Sequence, residues 1–125
     1  MILCDTNIFI EVFRNNAKIE KILCDIGVDN IVVTDVIKAE LFFGALNKRE
    51  LQAIEKLLND FISLNIQHKI SKMAVDFVKN YCLSHKMNFP DALIAATAIY
   101  YDIELFTLNI KHFKYIPNIK LYQSK

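Results

Sequence analysis

The sequence predicts an α/β fold of three layers (α/β/α), in which a short and mostly parallel sheet lies between helices. Short apolar runs alternate along the chain with longer segments whose apolar residues recur at helical spacing. Only two glycines and two prolines interrupt 125 residues. Because neither a repeat nor a change of composition divides the chain, one domain over residues 1–125 is expected.

The first half of the chain predicts two buried strands, each followed by helices. The strands are residues 1–4 and the β-branched run NIVVT at 30–34. Helices are predicted at 8–13 and 17–26, the second ending at Gly27, a common C-cap residue. A further helix, VIKAELFFGAL, follows a cap at Thr34 or Asp35, and an amphipathic segment occupies 48–64.

The second half predicts more strands around two long helices. A short third strand is expected at SLNI (63–66), and an amphipathic helix at 71–84. The segment PDALIAATAIYY (90–101) is a helix with proline in its first turn. ELFT (104–107) is then a strand, NIKHF (109–113) a turn and IKLY (119–122) a last short strand.

Composition excludes several classes of protein. No apolar run approaches the roughly 20 residues that span a membrane, and no export signal is visible, so a cytoplasmic protein without a membrane segment is expected. Three cysteines fit reduced thiols, and Cys4, Cys24 and Cys82 are all predicted to be buried. The net charge of +1 means that polyanion binding requires local basic clusters or a metal.

Three acids follow strand ends or open helices. Asp5 comes directly after the first strand, Glu40 lies six residues past Thr34, and Asp91 opens the alanine-rich helix. Since ligands of parallel sheets bind beyond the carboxyl ends of the strands, these acids are predicted to converge. Close carboxylates repel one another, and a divalent cation with oxygen ligands, Mg²⁺ or Mn²⁺, removes the conflict.

Each acid also has an ordinary structural interpretation. Asp91 is a typical first-turn acid, Asp5 before Thr-Asn is a typical turn or N-cap residue, and Glu40 could extend to solvent. The joint pattern favours a metal site. The alanines of DALIAATA would let that helix lie close to the sheet, near Asp5.

Three blocks of the sequence resemble the PIN-domain ribonucleases, and more narrowly the VapC-type toxins of toxin–antitoxin pairs. They are MILCDTN, VVTDVIKAELFFGA and FPDALIAATAIYYDIELFTLNIKHF. The resemblance implies a PIN-like fold, with Asp5, Glu40 and Asp91 as the catalytic residues that bind Mg²⁺ or Mn²⁺. It also implies supporting polar contacts from Asn7, Thr107 and Asn109. The chain departs from the family pattern at His112, where many members have a further acid, so one or two metals remain possible.

The resemblance further implies a metal-dependent endoribonuclease, a homodimer and inhibition by a cognate antitoxin that places a basic side chain into the acidic pocket. Basic loop residues are candidate RNA contacts, with an ordinary solvated loop as the alternative: His85, Lys86, Lys111, His112 and Lys114. A metal- and RNA-binding adaptor without catalysis is the alternative. A receiver domain is disfavoured because it needs an acid pair after the first strand, and a dehalogenase-type phosphatase because Asn7 replaces its second aspartate.

Overall fold

The computed structural model describes residues 1–124, in which four strands form one sheet. The strands are β1 (Ile2–Cys4), β2 (Ile31–Thr34), β3 (Ile62–Leu64) and β4 (Glu104–Phe106). They lie in the order β3-β2-β1-β4, and every neighbouring pair is parallel. The predicted α/β fold is confirmed, and the described sheet is wholly rather than mostly parallel.

Six α-helices connect or follow these strands: α1 (Thr6–Phe13), α2 (Ala17–Ile26), α3 (Asp35–Phe43), α4 (Lys48–Leu58), α5 (His68–His85) and α6 (Phe89–Tyr100). Five of them begin at a residue whose side chain accepts a backbone N–H of the first turn. These caps are Asp5, Asn16, Thr34, Asn47 and Asn88. Short 3-10 helices occur at Val28–Asn30 and Ile110–His112.

The core lies around β1, which is the inner strand between β2 and β4. All residues of β1 and β2 are buried, as their uninterrupted apolar sequences predict. Residues 92–98 of α6 are also buried, four of them alanines. Because these side chains are small, the backbone of α6 approaches its neighbours closely, and it packs extensively on α5.

The predicted strand at 119–122 is wrong. Within residues 1–124 this segment makes one isolated bridge, Leu121 to Leu105. The N–H of Leu105 donates to the carbonyl of Lys120, and the N–H of Tyr122 donates to the carbonyl of Leu105. The amphipathic segment 48–64 also divides, since α4 ends at Leu58 and β3 begins at Ile62.

The cysteines differ from one another in burial. Cys4 is buried as predicted, and burial together with the charge of Asp5 raises the pKa of its thiol to about 12. The expectation that Cys24 and Cys82 are buried is wrong, because both lie on exposed positions of their helices. Cys82 adjoins Leu83, which is 95% exposed, so that part of α5 turns to solvent. No helix among residues 1–124 is both long and apolar enough to cross a membrane.

Candidate active site

Asp5 lies where β1 ends and α1 begins, and it is only 5% exposed. Its backbone N–H continues the sheet by donating to the carbonyl of Phe106. Its carboxylate accepts three hydrogen bonds: Oδ1 from the N–H of Thr6 at 2.8 Å, and Oδ2 from Thr107 Oγ1 at 2.8 Å and Asn7 Nδ2 at 3.3 Å. The buried acid is therefore fixed in orientation by both neighbouring segments of chain.

The ionised form of Asp5 is nonetheless disfavoured. Burial is the main cause that raises the pKa of its carboxyl group, and the negative charge of Asp91 adds to the increase. Hydrogen bonds from Thr107 and Thr6, together with the charge of His112, lower the pKa in part. The site thus orients a carboxylate while leaving its negative charge incompletely compensated.

Hydrogen bonds of the Asn7 side chain hold the segment after β4 against the start of α1. Asn7 Nδ2 lies 3.4 Å from Thr107 Oγ1, and Asn7 Oδ1 accepts the N–H of Leu108. The predicted contact of Asn109 is made by its backbone N–H, which donates to Thr107 Oγ1 at 3.0 Å, while the residue itself is exposed. Asn7 and Thr107 thus both bind Asp5, and Asn109 supports Thr107.

Glu40 lies on α3 and is joined to the same region through Thr6. The hydroxyl of Thr6 donates to Glu40 Oε1 at 2.8 Å, and the N–H of Thr6 donates to Asp5. One residue therefore binds two of the three predicted acids. Sequence reasoning did not single out Thr6, since its only signal is its place between Asp5 and Asn7 in the motif DTN.

Asp91 lies in the first turn of α6, where its N–H donates to Asn88 Oδ1 at 2.9 Å. Burial raises the pKa of its carboxyl group, and the negative charge of Glu40 raises it further. His112 acts in the opposite direction, and its Nδ1 lies 3.7 Å from Asp91 Oδ2. Asp91 is thus within electrostatic range of both Asp5 and Glu40. His112, which occupies the position where many family members have an acid, lies beside Asp91.

The donor set suits one kind of cation. Among residues 1–124, no three His, Cys, Asp or Glu side chains form a group that could enclose a metal by themselves. Mg²⁺ commonly binds one or two protein carboxylates and keeps several waters. Asp5 and Asp91, whose charges interact, could supply the one or two carboxylates of such a partly hydrated ion, whereas the predicted trio with Glu40 does not form one group of ligands in the described residues.

The predicted RNA contacts are all exposed. Lys86 is the left-handed C-cap of α5, with φ 55°, whereas Lys111 and His112 belong to the 3-10 helix after β4. Of these three, His112 is the one recorded in contact with a predicted catalytic acid. Lys86 and Lys111 are each near a predicted site residue in sequence, Lys86 five residues before Asp91 and Lys111 next to His112.

Comparisons with known proteins show the family and the fold of the chain. The family model described as PIN domain matches residues 2–118. The chain is 28% identical over 123 residues to Ribonuclease VapC19 of Mycobacterium tuberculosis, covering 96% of this chain and 98% of the relative. Its structure resembles VapBC2 of Rickettsia felis bound to a promoter DNA fragment, with a TM-score of 0.82, 25% identity and full coverage of both chains. A toxin–antitoxin complex from Klebsiella pneumoniae gives a TM-score of 0.79 at 28% identity, over 95% of each chain.

Proposed function

This chain belongs to the PIN domain family, and on that premise we propose that it is a metal-dependent ribonuclease toxin that cleaves phosphodiester bonds within RNA. The names of its relatives support the ribonuclease activity, and the solved complexes support an antitoxin partner. The observation that carries the proposal is the buried carboxylate of Asp5, which is held by hydrogen bonds beside Asp91 with its pKa raised.

Each acid has a distinct role in this proposal. Asp5 and Asp91 hold Mg²⁺ or Mn²⁺, which when bound would neutralise their charge and supply positive charge to a phosphodiester. Thr107 and Asn7 fix the Oδ2 oxygen of Asp5 so that Oδ1 and Oδ2 keep a constant direction. Glu40, oriented by Thr6, would accept a proton from the attacking water or be a further ligand of the ion.

The test of catalysis is cleavage of total RNA by the purified protein in Mn²⁺ or Mg²⁺. We expect the wild-type protein to cleave, and EDTA or the substitution Asp5→Asn to abolish the products. Asp102→Asn is the matched control, because its carboxylate is 78% exposed and pairs with Lys120 away from the site. Sequencing the ends of the products would define the RNA and the cleaved bond.

The adaptor alternative rests on His112, which stands at the position where many family members have an acid. It predicts RNA binding by the wild-type protein and by Asp5→Asn with no product from either. Cleavage by the wild-type protein alone would exclude the adaptor. Absence of product in every divalent metal, together with intact RNA binding, would instead contradict the nuclease.

The antitoxin site in this proposal is an apolar groove between α1, α3 and α4, with a volume of about 490 Å³. Apolar side chains of the groove include Ile10, Phe13, Leu41, Leu46 and Ile54. Two acids, Glu40 and Glu50, and one base, Arg14, also line it, so an apolar segment carrying basic side chains is complementary. Because Glu40 belongs to both the groove and the acidic site, a peptide in the groove would place a basic side chain among the catalytic carboxylates.

The homodimer and the cytoplasmic location implied by the resemblance stay predictions. Sedimentation velocity of the toxin, alone and with its antitoxin, would test the first of these. The binding of one ion or two is equally open to measurement, by calorimetric titration with Mn²⁺.

A further inference from the structure

Three aromatic rings form a cluster between the C-terminal end of α5 and the segment after β4. The rings of His85 and Tyr115 are stacked, with centroids 3.7 Å apart and 14° between their planes. Tyr81, one helical turn before His85, is edge-on to both, at 5.0 Å from Tyr115 and 5.9 Å from His85. These three residues are called the aromatic cluster below.

The aromatic cluster borders the carboxylate site. His112, whose imidazole lies 3.7 Å from the carboxylate of Asp91, is three residues before Tyr115. Three residues of chain span at most about 10 Å, so the backbone that carries Tyr115 lies within about 10 Å of the backbone that carries His112. In agreement, the charge of Asp91 contributes, after burial, to the raised pKa of Tyr115. A strand of RNA whose phosphate lies at Asp91 would therefore have a neighbouring nucleotide at the aromatic cluster.

Core packing does not account for this stack. The ring pair Phe9–Phe61 illustrates an aromatic contact of the core, since Phe9 is fully buried and the two rings are tilted by 40°. By contrast, His85 is exposed at the last residue of α5, and Tyr115 is half-buried. Ser84 Oγ lies 2.8 Å from His85 Nδ1 and restrains the exposed ring. Among the described residues, no second ring lies parallel to His85.

The charge around the aromatic cluster suits a polyanion. Lys86 directly follows His85, and Lys114 directly precedes Tyr115, and both are exposed. Proteins that bind single-stranded nucleic acid combine exposed aromatic rings, on which bases stack, with cationic side chains that follow the phosphates. A nearly parallel ring pair flanked by lysines, in which the His85 ring is exposed and restrained, has both properties.

We propose that the aromatic cluster is a platform on which a base of single-stranded RNA stacks next to the cleaved phosphate. This inference rests on the proposed ribonuclease function and adds the means by which the substrate is held. Every base has a π face, so the platform selects single-stranded over paired RNA more than it selects a sequence. His85 contributes the exposed ring, and Tyr115 and Tyr81 hold it in place.

Binding measurements in an Asp5→Asn background, which prevents cleavage, test the platform. The probe is a single-stranded oligoribonucleotide carrying 2-aminopurine, whose fluorescence falls when the base stacks. We expect His85→Ala to weaken binding by about 5- to 100-fold and to abolish the quenching, the range found when a stacking aromatic is removed. His85→Trp should bind within about 2-fold of the parent, because it keeps a flat ring.

Two further variants separate stacking from other causes. His68→Ala is the matched control, since His68 is an exposed histidine at the opposite end of α5, about 25 Å away along an 18-residue helix. It should bind as the parent does. His85→Lys supplies a positive charge without the ring, and we expect it to bind as weakly as His85→Ala. Parent-like binding and quenching by His85→Lys would overturn the platform in favour of a purely electrostatic contact.

Failure of the platform and failure of the ribonuclease proposal give different results. If the wild-type protein cleaves RNA and His85→Ala cleaves with unchanged KM, the result contradicts the platform and supports the ribonuclease proposal. If the wild-type protein cleaves nothing but His85 still quenches the probe, the ribonuclease falls and the platform stands. Unchanged RNA binding with a lost protein–protein contact in His85→Ala would assign the surface to a protein partner and overturn the platform.

Discussion

Burial determines the behaviour of Asp5 and Asp91 before any ligand binds. Desolvation is the largest cause of the raised pKa of each, and each also carries the repulsion of another acid of the site. A carboxyl group with a raised pKa binds its proton more tightly in the folded protein than in the unfolded chain. Its contribution to stability is therefore complete below the ordinary pKa of 3.8 and is lost as the pH rises through the raised value.

The substitution Asp91→Asn tests whether the ionised carboxylate of Asp91 destabilises the folded protein. In the metal-free protein at pH 7 it removes a disfavoured charge, so we expect the Tm to rise by a few degrees, or about 1 kcal/mol in a domain of this length. The gain in Tm should vanish below the ordinary pKa of 3.8, where Asp91 is protonated in both the folded protein and the unfolded chain. Activity should fall by at least 10- to 100-fold, the loss typical when even an outer partner of a metal site is removed.

Asp76→Asn is the control for Asp91→Asn, since Asp76 is exposed on α5. It should change neither the Tm nor the cleavage rate appreciably. Thermal denaturation with and without Mn²⁺ measures the effect, because the ion should stabilise the wild-type protein and not Asp91→Asn. A lower Tm of metal-free Asp91→Asn at neutral pH would contradict the assignment of an uncompensated charge.

Thr107 controls the protonation of Asp5 through the hydrogen bond at 2.8 Å. This bond lowers the pKa of Asp5, so Thr107→Val should raise that pKa further and move the acidic limb of the pH–rate profile to higher pH. We also expect a stability loss of about 1–3 kcal/mol and a 10- to 100-fold fall in activity at neutral pH.

The control for Thr107→Val is Thr97→Val. Thr97 is also fully buried, but its hydroxyl donates to the carbonyl of Leu93 within α6. Because the hydroxyl of Thr97 bonds within α6 and not to Asp5, Thr97→Val should lose little stability and leave the pH–rate profile unchanged. An acidic limb that stays fixed in Thr107→Val would show that Asp5 does not need to lose its proton for activity.

At the scale of elements, α6 places Asp91 through its N-cap. Asn88 on α6 and Asn47 on α4 make the same bond, each accepting the N–H three residues later at 2.9 Å. Alanine at either position should destabilise the protein by about 1 kcal/mol. Only Asn88→Ala should also slow cleavage, because it loosens the turn that carries Asp91. Equal activity of the two variants would show that the cap has no part in positioning the acid.

The sequence predicted those elements that local chemistry determines. An apolar run gave β1 and a β-branched run gave β2, whose apolar side chains are all buried, and Gly27 marked the end of α2 at φ 88°. The segment 119–122 misled because apolar alternation indicates a strand, whereas strand formation depends on a partner edge. That edge offers only the two backbone hydrogen bonds around Leu105. The burial of Cys24 was predicted wrongly because it depends on which face of α2 packs against the core.

The candidate site was predictable where strand ends and helix starts determine position. Asp5 and Asp91 follow from that rule, and the charge of one raises the pKa of the other. The link from Thr6 to Glu40 joins residues 34 apart and depends on how α1 packs against α3. The stack of His85 on Tyr115 likewise joins distant segments with no signal in either one. Contacts of this kind depend on tertiary packing, which sequence periodicity does not encode.

At the scale of the whole molecule, one residue belongs both to the proposed catalytic site and to the proposed antitoxin groove. Glu40 accepts the Thr6 hydroxyl in the acidic site and also lines the apolar groove. A basic side chain of a partner segment lying in that groove would therefore pair with Glu40, one of the three predicted catalytic acids. We therefore expect the antitoxin to inhibit by pairing a basic side chain with a carboxylate of the site, in addition to covering the site. Activity restored by excess Mg²⁺ while the antitoxin stays fully bound would contradict this mode of inhibition.

The groove itself is tested by a pair of matched leucines. Leu46 lines the groove and is 85% exposed, whereas Leu83 lies on α5 outside it and is 95% exposed. Because neither side chain is buried, aspartate at either position should leave the Tm nearly unchanged. Leu46→Asp replaces an apolar contact with a charged group that must lose its water against the antitoxin, so binding should weaken by at least about 10-fold. Leu83→Asp should bind the antitoxin as the wild-type protein does, measured by calorimetric titration. Equal affinities of the two variants would place the antitoxin on another surface, and a loss confined to Leu83→Asp would place it on α5.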